Sequence, residues 1–431
     1  MISFKKYHAT YSLLTEAKAK KSSGHLTHLE ELMLTKGESG YEEARDTLLR
    51  MLSKLQGRSK RNIDTTVKWD GAPFIMAGKI TPDMEDSRIP VTGKHFVATK
   101  SGITNKVPKI NYDEGDIIDN HGHAPGLVEK LKQVLKATKQ MGIKGVIGGD
   151  VMFDSSIIKP LHVDGEELIS FKPNTTVYAV PKDSDLAKEI QNSTLGIIWH
   201  SRYNEISDAG RVPLTHSEFR KLKKVPGVWM DDAEFKDSTG VVTLEPDEAK
   251  QVKDYIKQAN GLKVNFKNIG TILPLINIYL NSEIRGGSFI DDPEKSFKNF
   301  IEWHKERDQK AIDKVKTQKH KLAKANVSKE KIANLVNNKE SIVNLFKKSK
   351  VIQLAKQIFV NKYNNAVYNF KHFLDNGDGT LVPANPEGYV AVSKLKGGGQ
   401  NSVKFVDRLE FSRANFGGGQ SSTPITNNAN V

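Results

Sequence analysis

"TTVKWDGAP", Thr65 to Pro73, brings a β-branched run to an abrupt end in a lysine, an aromatic, an aspartate and a glycine. β-Branched residues suit a pleated surface, so Thr65–Val67 reads as a strand. Asp-Gly is turn chemistry, so Lys68 falls at the strand's end. Such a lysine is either a solvated residue before a surface turn or an amine held at the rim of a site. Four residues do not choose between the two.

Upstream, residues 1–60 read as a helical segment. "HLTHLEELMLTKG" spaces Leu26, Leu29, Leu32 and Leu34 near helical intervals and stops at Gly37, and "YEEARDTLLRMLSKLQG" repeats the pattern to Gly57. Downstream, residues 61–245 change character. "FIMAGKI", "HFVATK", "KGVIGGDVMF", "TTVYAV" and "LGIIWH" read as strands, with one long helix in "GLVEKLKQVLKATKQMG". Residues 246–375 turn helical and lysine-rich. Residues 376–416 return to strands in "EGYVAV" and "SVKFVDRLEF", and the Gly/Ser/Asn-rich residues 417–431 are expected to be disordered. A β-rich core is thus expected to be split by a basic helical insertion, which makes the fold class α+β.

Composition bounds the chemistry. There is no cysteine, so disulfide partners, cysteine-ligated metal centres and thiol catalysis are excluded. The first residues lack an apolar core and cleavage signal, so a cytoplasmic protein without a membrane partner is expected. The net charge of +14 favours a polyanionic partner. The helical block reads either as a scaffold with a solvated charged face or as an electrostatic footprint for nucleic acid.

Four further segments follow "KWDG" in order. "ATKSG" sets Lys100 and Ser101 beside a glycine at a strand end, and "GGDVMF" carries Asp150 on a strand. "EGYVAV" opens a strand with Glu387 and Gly388, and "VKFV" points Lys404 away from its valine neighbours. The series resembles the covalent nucleotidyltransferases: ATP-dependent DNA ligases, RNA ligases and mRNA capping enzymes. "KWDG" matches their Lys-x-Asp-Gly motif. Lys100 stands where an arginine is common, and Asp150 where a glutamate is usual. Val406 replaces the second lysine of the final Lys-x-Lys strand. The Lys68–Asp150 gap is longer than usual, and the helical block separates "LGIIWH" from Glu387. The whole chain also resembles an uncharacterised group of bacteriophage proteins, from large tailed phages.

The resemblance implies a ligase adenylation-domain fold of antiparallel sheets flanked by helices. It implies ATP and Mg2+, with Lys68 as nucleophile, Asp70 orienting it or the metal, and Lys404 and Lys100 on phosphate. Asp150 and Glu387 would hold metal or ribose, Gly71 and Gly388 would let backbone approach the nucleotide, and Ser101 would line the site. Adenine needs an aromatic platform, for which Trp199 is the first choice and Phe171 and Tyr178 the next. Only 27 residues follow Lys404, so no C-terminal OB-fold is expected, which favours RNA over DNA as the acceptor. The expected activity is lysyl-AMP formation and sealing of 5′-phosphate ends. The alternatives are a non-catalytic nucleic-acid-binding or virion-associated protein of the same fold, or AMP transfer to a protein. His121 and His123 in "NHGHAPG" lack a third ligand at metal-binding spacing, and "DNGDGT" reads as a turn rather than a calcium loop.

Overall fold

A computed structural model of the chain describes residues 27–57, 63–84, 88–89, 91–207, 210–235, 242–366, 369–375, 379–394 and 400–410. The expected disordered tail, residues 1–26 of the expected N-terminal helical segment, the centre of the "KLKGGGQNS" loop and part of "DNGDGT" lie outside the described residues. The fold is mixed α+β with antiparallel sheets and helices. No described helix is long and apolar enough to cross a membrane.

In chain order the strands are β1 (Thr27–His28), β2 (Ile63–Val67), β3 (Phe74–Lys79), β4 (His95–Thr99), β5 (Val146–Asp154), β6 (Lys159–Val163), β7 (Glu166–Phe171) and β8 (Thr176–Pro181). They continue with β9 (Leu195–Tyr203), β10 (Arg211–Pro213), β11 (Val228–Asp232), β12 (Lys371–Asp375), β13 (Leu381–Ala384), β14 (Tyr389–Lys394) and β15 (Gln400–Phe405). Two compact units share them: one holds residues 71–158 and 183–233, the other 27–70, 159–182 and 234 onward.

The first unit is built on a sheet of order β10-β9-β5-β3-β4, with β11 added parallel to β9. Helix Pro125–Met141 lays Val128, Leu131, Val134, Leu135 and Met141 onto it at helical spacing. The second unit has two sheets, β1-β15-β14-β2 and β13-β12-β8-β7-β6. Strand β2 alternates as expected of a sheet with one covered face: Ile63, Thr65 and Val67 are buried and Asp64 is exposed. Beneath lies a single core that joins Leu48, Met51 and Leu52 of helix Glu38–Leu55 to Phe346, Phe359 and Tyr363 of helix Lys339–Asn364 and to Tyr389 and Phe405 of the sheet. The helical block therefore shares the sheet's core and is not a separate body.

Two boundaries differ from the sequence reading. Thr27–His28, expected inside a helix, forms a strand paired in parallel with Val403 and Lys404. Two residues carry no period, and this strand exists because β15 offers its edge. The helical block ends at Asn364, not 375: Lys371–Asp375 is β12, paired with both β8 and β13.

A buried ion knot ties Glu30 and the segment after β15 to the block. Lys356 and Glu30 are each 1% exposed, and Lys356 Nζ donates to both Glu30 carboxylate oxygens at 2.9 Å and to Val406 O at 2.8 Å. Arg408 adds a 2.7 Å bond to Glu31 and a 2.6 Å bond to Asn281. Burial alone would raise the Glu30 carboxyl, but Lys356 and Arg408 outweigh it and hold it below its usual value. Removing one partner leaves a buried uncompensated charge. Lys356→Ala is expected to cost about 3–5 kcal/mol in chemical denaturation. The double replacement Glu30→Leu with Lys356→Met is expected to recover most of that loss. A single variant as stable as the wild type would contradict the knot.

Candidate active site

Sheet register decides which side chains share a face. Val67, Tyr389 and Phe405 lie in one cross-strand row, and all three are buried in the core. Side chains alternate along a strand, so the rows on either side face the other way. One of those rows is Thr66, Val390, Lys404 and His28; in the other, Lys68 N donates to Gly388 O at 2.8 Å, which continues the ladder one residue past β2. Lys68 and Lys404 thus emerge on the same face, two strands apart.

Gly388 makes the arrangement possible. Its φ is +147°, and a Cβ there would lie 2.5 Å from Val406 Cγ2 and 3.0 Å from Phe405 O. Only glycine lets the chain pass this close to the end of β15. The preceding Glu387 then pairs with Lys68, Oε1 to Nζ. Glu387 is 9% exposed and Lys68 28%. The other carboxylate oxygen, Oε2, is buried with no hydrogen-bond partner among the described residues.

Asp70 is held by the β7–β8 loop. Asn174 Nδ2 donates to Oδ1 at 2.8 Å, and Thr175 N, Thr175 Oγ1 and Thr176 N donate to Oδ2 at 2.9, 2.6 and 3.0 Å. Asp70 N donates to Tyr178 Oη at 2.7 Å. Burial favours the neutral acid, but the bonds from Thr175 and Asn174 outweigh it and keep the carboxyl below its usual value. Asp70 thus anchors the turn that carries Lys68. Trp69 stacks on Tyr178 with centroids 5.2 Å apart, and Tyr178 stacks on Phe171 at 5.6 Å. Phe171 and Tyr178 are each 1% exposed, so neither offers a face for a base; Trp69 is the half-buried aromatic of this group.

The remaining expected residues belong to the first unit. Lys100 and Ser101 open the short helix Lys100–Thr104, capped by Thr99 Oγ1 accepting from Gly102 N at 3.0 Å. Gly71 is required by packing: a Cβ would lie 2.5 Å from Asp150 Cβ and 2.8 Å from Met152 Sδ. Asp150 Oδ2 is 3.1 Å from His200 Nε2, and His200 Nδ1 is 2.8 Å from Ser201 Oγ, which also accepts from Arg211 Nε at 2.8 Å. Trp199 is 0% exposed and sits in the core, so the expected adenine platform is corrected. Its ring fills the space left by Gly149, where a Cβ would lie 2.8 Å from Trp199 Cε3.

The family profile that matches covers residues 23–419, nearly the whole chain. The chain belongs to DUF6267, a family of unknown function. No curated protein and no solved structure matches it.

In this DUF6267 chain several residues around Lys68 and Lys404 escaped the sequence reading. His28 pairs in register with Lys404; its imidazole is held well below its usual value by burial first and then by Arg408, Lys356, Lys404 and Lys68. Its Nδ1 is buried without a partner among the described residues. The only sequence signal was the pair of acids just after it in "THLEEL", which suits an apolar interior poorly unless cations meet it. The Asp70 anchor lay in Asn174 and in the first two residues of "TTVYAV", Thr175 and Thr176, which read only as the start of a strand.

Electrostatics set the site's character. Burial raises the Glu387 carboxyl above 4.5; Lys68 and Lys404 pull it back in part, and Asp70 adds to the rise. Burial, then Lys68, holds Lys404 below its usual value against the pull of Glu387. Two predictions follow from these shifts. Asp70→Asn turns a donor toward the Thr175 and Thr176 amides or deprives Asn174 of its acceptor, and is expected to cost about 1–3 kcal/mol by thermal denaturation. For Glu387, a raised folded pKa means the folded state holds the proton more tightly. That stability is fully present below about pH 4.5 and is lost as pH rises through the folded value. Relative to Glu387→Gln, the wild type is therefore expected to lose stability as pH rises from about 4.5 through the raised folded value. A flat difference across that range would contradict the assignment.

Proposed function

We propose that the chain is an ATP-dependent nucleotidyltransferase that carries AMP on Lys68 and passes it to a 5′-phosphate end of a polynucleotide, RNA before DNA. The observation that supports this reading is the pairing of Lys68 with a buried carboxylate at the opening of β14, on the face of the sheet that also carries Lys404 of β15, in the motif order the sequence resembles. Lys68 Nζ attacks the α-phosphorus of ATP; an N–P bond forms, the bond to the β-phosphate bridging oxygen breaks, and pyrophosphate leaves. The amine's proton passes to Glu387 Oε1. Lys404 offsets charge that builds on the α-phosphate in transfer. A 5′-phosphate oxygen then attacks the same phosphorus, the N–P bond breaks, and the amine regains a proton. In the final step a 3′-hydroxyl attacks the activated phosphate and AMP leaves.

The donor set fits Mg2+ in the limited way such ions are often held, by one or two carboxylates with water and substrate phosphates. Glu387 Oε2 is a buried carboxylate oxygen in need of a partner, whereas the Asp70 oxygens already accept four bonds. When bound, the ion supplies charge for the departing pyrophosphate. The lysine-rich stretch 293–337 holds twelve lysines and arginines against six acids, which supports a role in gripping phosphate backbone.

One observation favours a second reading, a non-catalytic nucleic-acid-binding protein of the same fold. Val406 stands at the position of the family's second lysine and is 2% exposed against Gly388, so no cation fits there. Incubation with α-labelled ATP and Mg2+ and a denaturing gel separates the two. A labelled wild-type band is expected, absent in Lys68→Ala and slower to form in Lys404→Ala by about 100-fold. The label is expected to chase onto nicked RNA ahead of nicked DNA or protein. A folded wild type that never labels would retire the enzyme. Charge reversal at Lys316, Lys319, Lys321 and Lys324 is expected to weaken RNA binding and flatten its salt dependence.

A further inference from the structure

The first unit carries a cleft of about 670 Å3, within the usual size of a small-ligand site. Lys100, Ser101, Lys109, His121 and His123 line it, with Phe74 among its apolar residues, and no carboxylate is among its described lining residues. A concave wall of two lysines and two imidazoles without an acid is poor ground for a metal ion. It suits an anion whose oxygens accept from several donors.

The wall is built rather than incidental. Asn111 Nδ2 donates to Val97 O at 2.9 Å and its backbone bridges Val97, which pins the loop after helix Lys100–Thr104 back onto β4. Asn120 Nδ2 donates to Asn111 Oδ1 at 3.0 Å, which ties in helix Glu114–His121. Lys109 N donates to Gly102 O at 3.0 Å, and Lys109 Nζ donates to Asn120 O at 3.1 Å. Gly102 admits this approach, since a Cβ there would lie 3.0 Å from Thr99 Oγ1 and 3.3 Å from Lys109 O. His121 is 6% exposed, yet its Nε2 is buried with no hydrogen-bond partner among the described residues. A buried polar atom left unpaired in this way is unusual and calls for a ligand or water.

We infer that this cleft is a phosphate-binding site, in which Lys109, His121 and His123 join Lys100 and Ser101 to hold the phosphoryl groups of a nucleotide or of a phosphorylated strand end. The inference extends the reading of Lys100 and Ser101 as phosphate contacts, and its test does not depend on Lys68. Burial, then Lys109 and His123, keeps the His121 imidazole below its usual value, so it serves as a neutral donor beside the lysines.

Isothermal titration of the full chain with inorganic tripolyphosphate tests it. Lys109→Gln and the exposed His123→Gln are each expected to weaken binding about 10-fold, the loss typical of one charge-assisted bond. Lys188→Gln, on the surface helix Asp185–Gln191 and outside the cleft, is expected to leave binding within about twofold. Competition by ATP, or by a 5′-phosphorylated but not a 5′-hydroxyl oligonucleotide, identifies the source of the phosphate. No binding, binding indifferent to Lys109→Gln and His123→Gln, or binding lost equally in Lys188→Gln would each overturn the inference. Circular dichroism of each variant shows that it remains folded, and His123→Glu, at an exposed position, repeats the test by placing a negative charge on the wall. Binding without adenylylation would defeat the proposed function and leave the cleft standing. Adenylylation with the wrong binding pattern would do the reverse.

Discussion

An amine that meets a buried carboxylate at the end of a strand is an expensive thing to fold, and the second unit is organised around keeping Lys68 and Glu387 together. Glu387 lies at the mouth of β14, and Gly388 beside it accepts the backbone of Lys68 while passing within contact of β15. The same three-strand register sends Val67, Tyr389 and Phe405 into the core and Lys68 and Lys404 to the opposite face. Hydrophobic burial on one face therefore fixes the geometry of the polar face. A slip of one residue would exchange the two sets.

The surrounding polar structure serves that face. Asp70 spends its carboxylate on the β7–β8 loop and so holds the turn after Lys68. The Glu30–Lys356 pair, with Arg408, fastens the segment after β1 and the exit from β15 to helix Lys339–Asn364. Buried ion pairs seldom add net stability over apolar packing, but they specify partners strongly. Here the knot joins segments more than 300 residues apart in sequence, Glu30 and Lys356. The helical block is thus part of the support of the site, beyond any role of its lysine-rich surface.

Much of this was legible in the sequence, and the failures have physical reasons. Strand β2 and the openings of β14 and β15 could be read because alternation and turn chemistry are local signals. Lys68, Glu387 and Lys404 could be singled out by motif order. Strand β1 could not, because two residues have no period and their pairing is decided by a strand nearly 400 residues away. Trp199 was misjudged because an aromatic in a strand looks the same whether it stacks on a ligand or fills the hollow over a glycine. Gly149 was the clue, since tandem glycines in a central strand leave room for large neighbours. The anchor of Asp70 and the cationic surroundings of His28 arise wholly from tertiary contact.

Contact between Lys68 and Glu387 in the folded protein underlies the rest of the site. Zero-length carbodiimide coupling tests it, because the reagent joins an amine to a carboxylate only when they are in contact. Peptide mass mapping is predicted to find Lys68 coupled to Glu387 in the native chain, and not in the unfolded chain or in Glu387→Gln. Lys68 coupled to another carboxylate, or Glu387 taking up an added amine while Lys68 stays unmodified, would contradict it.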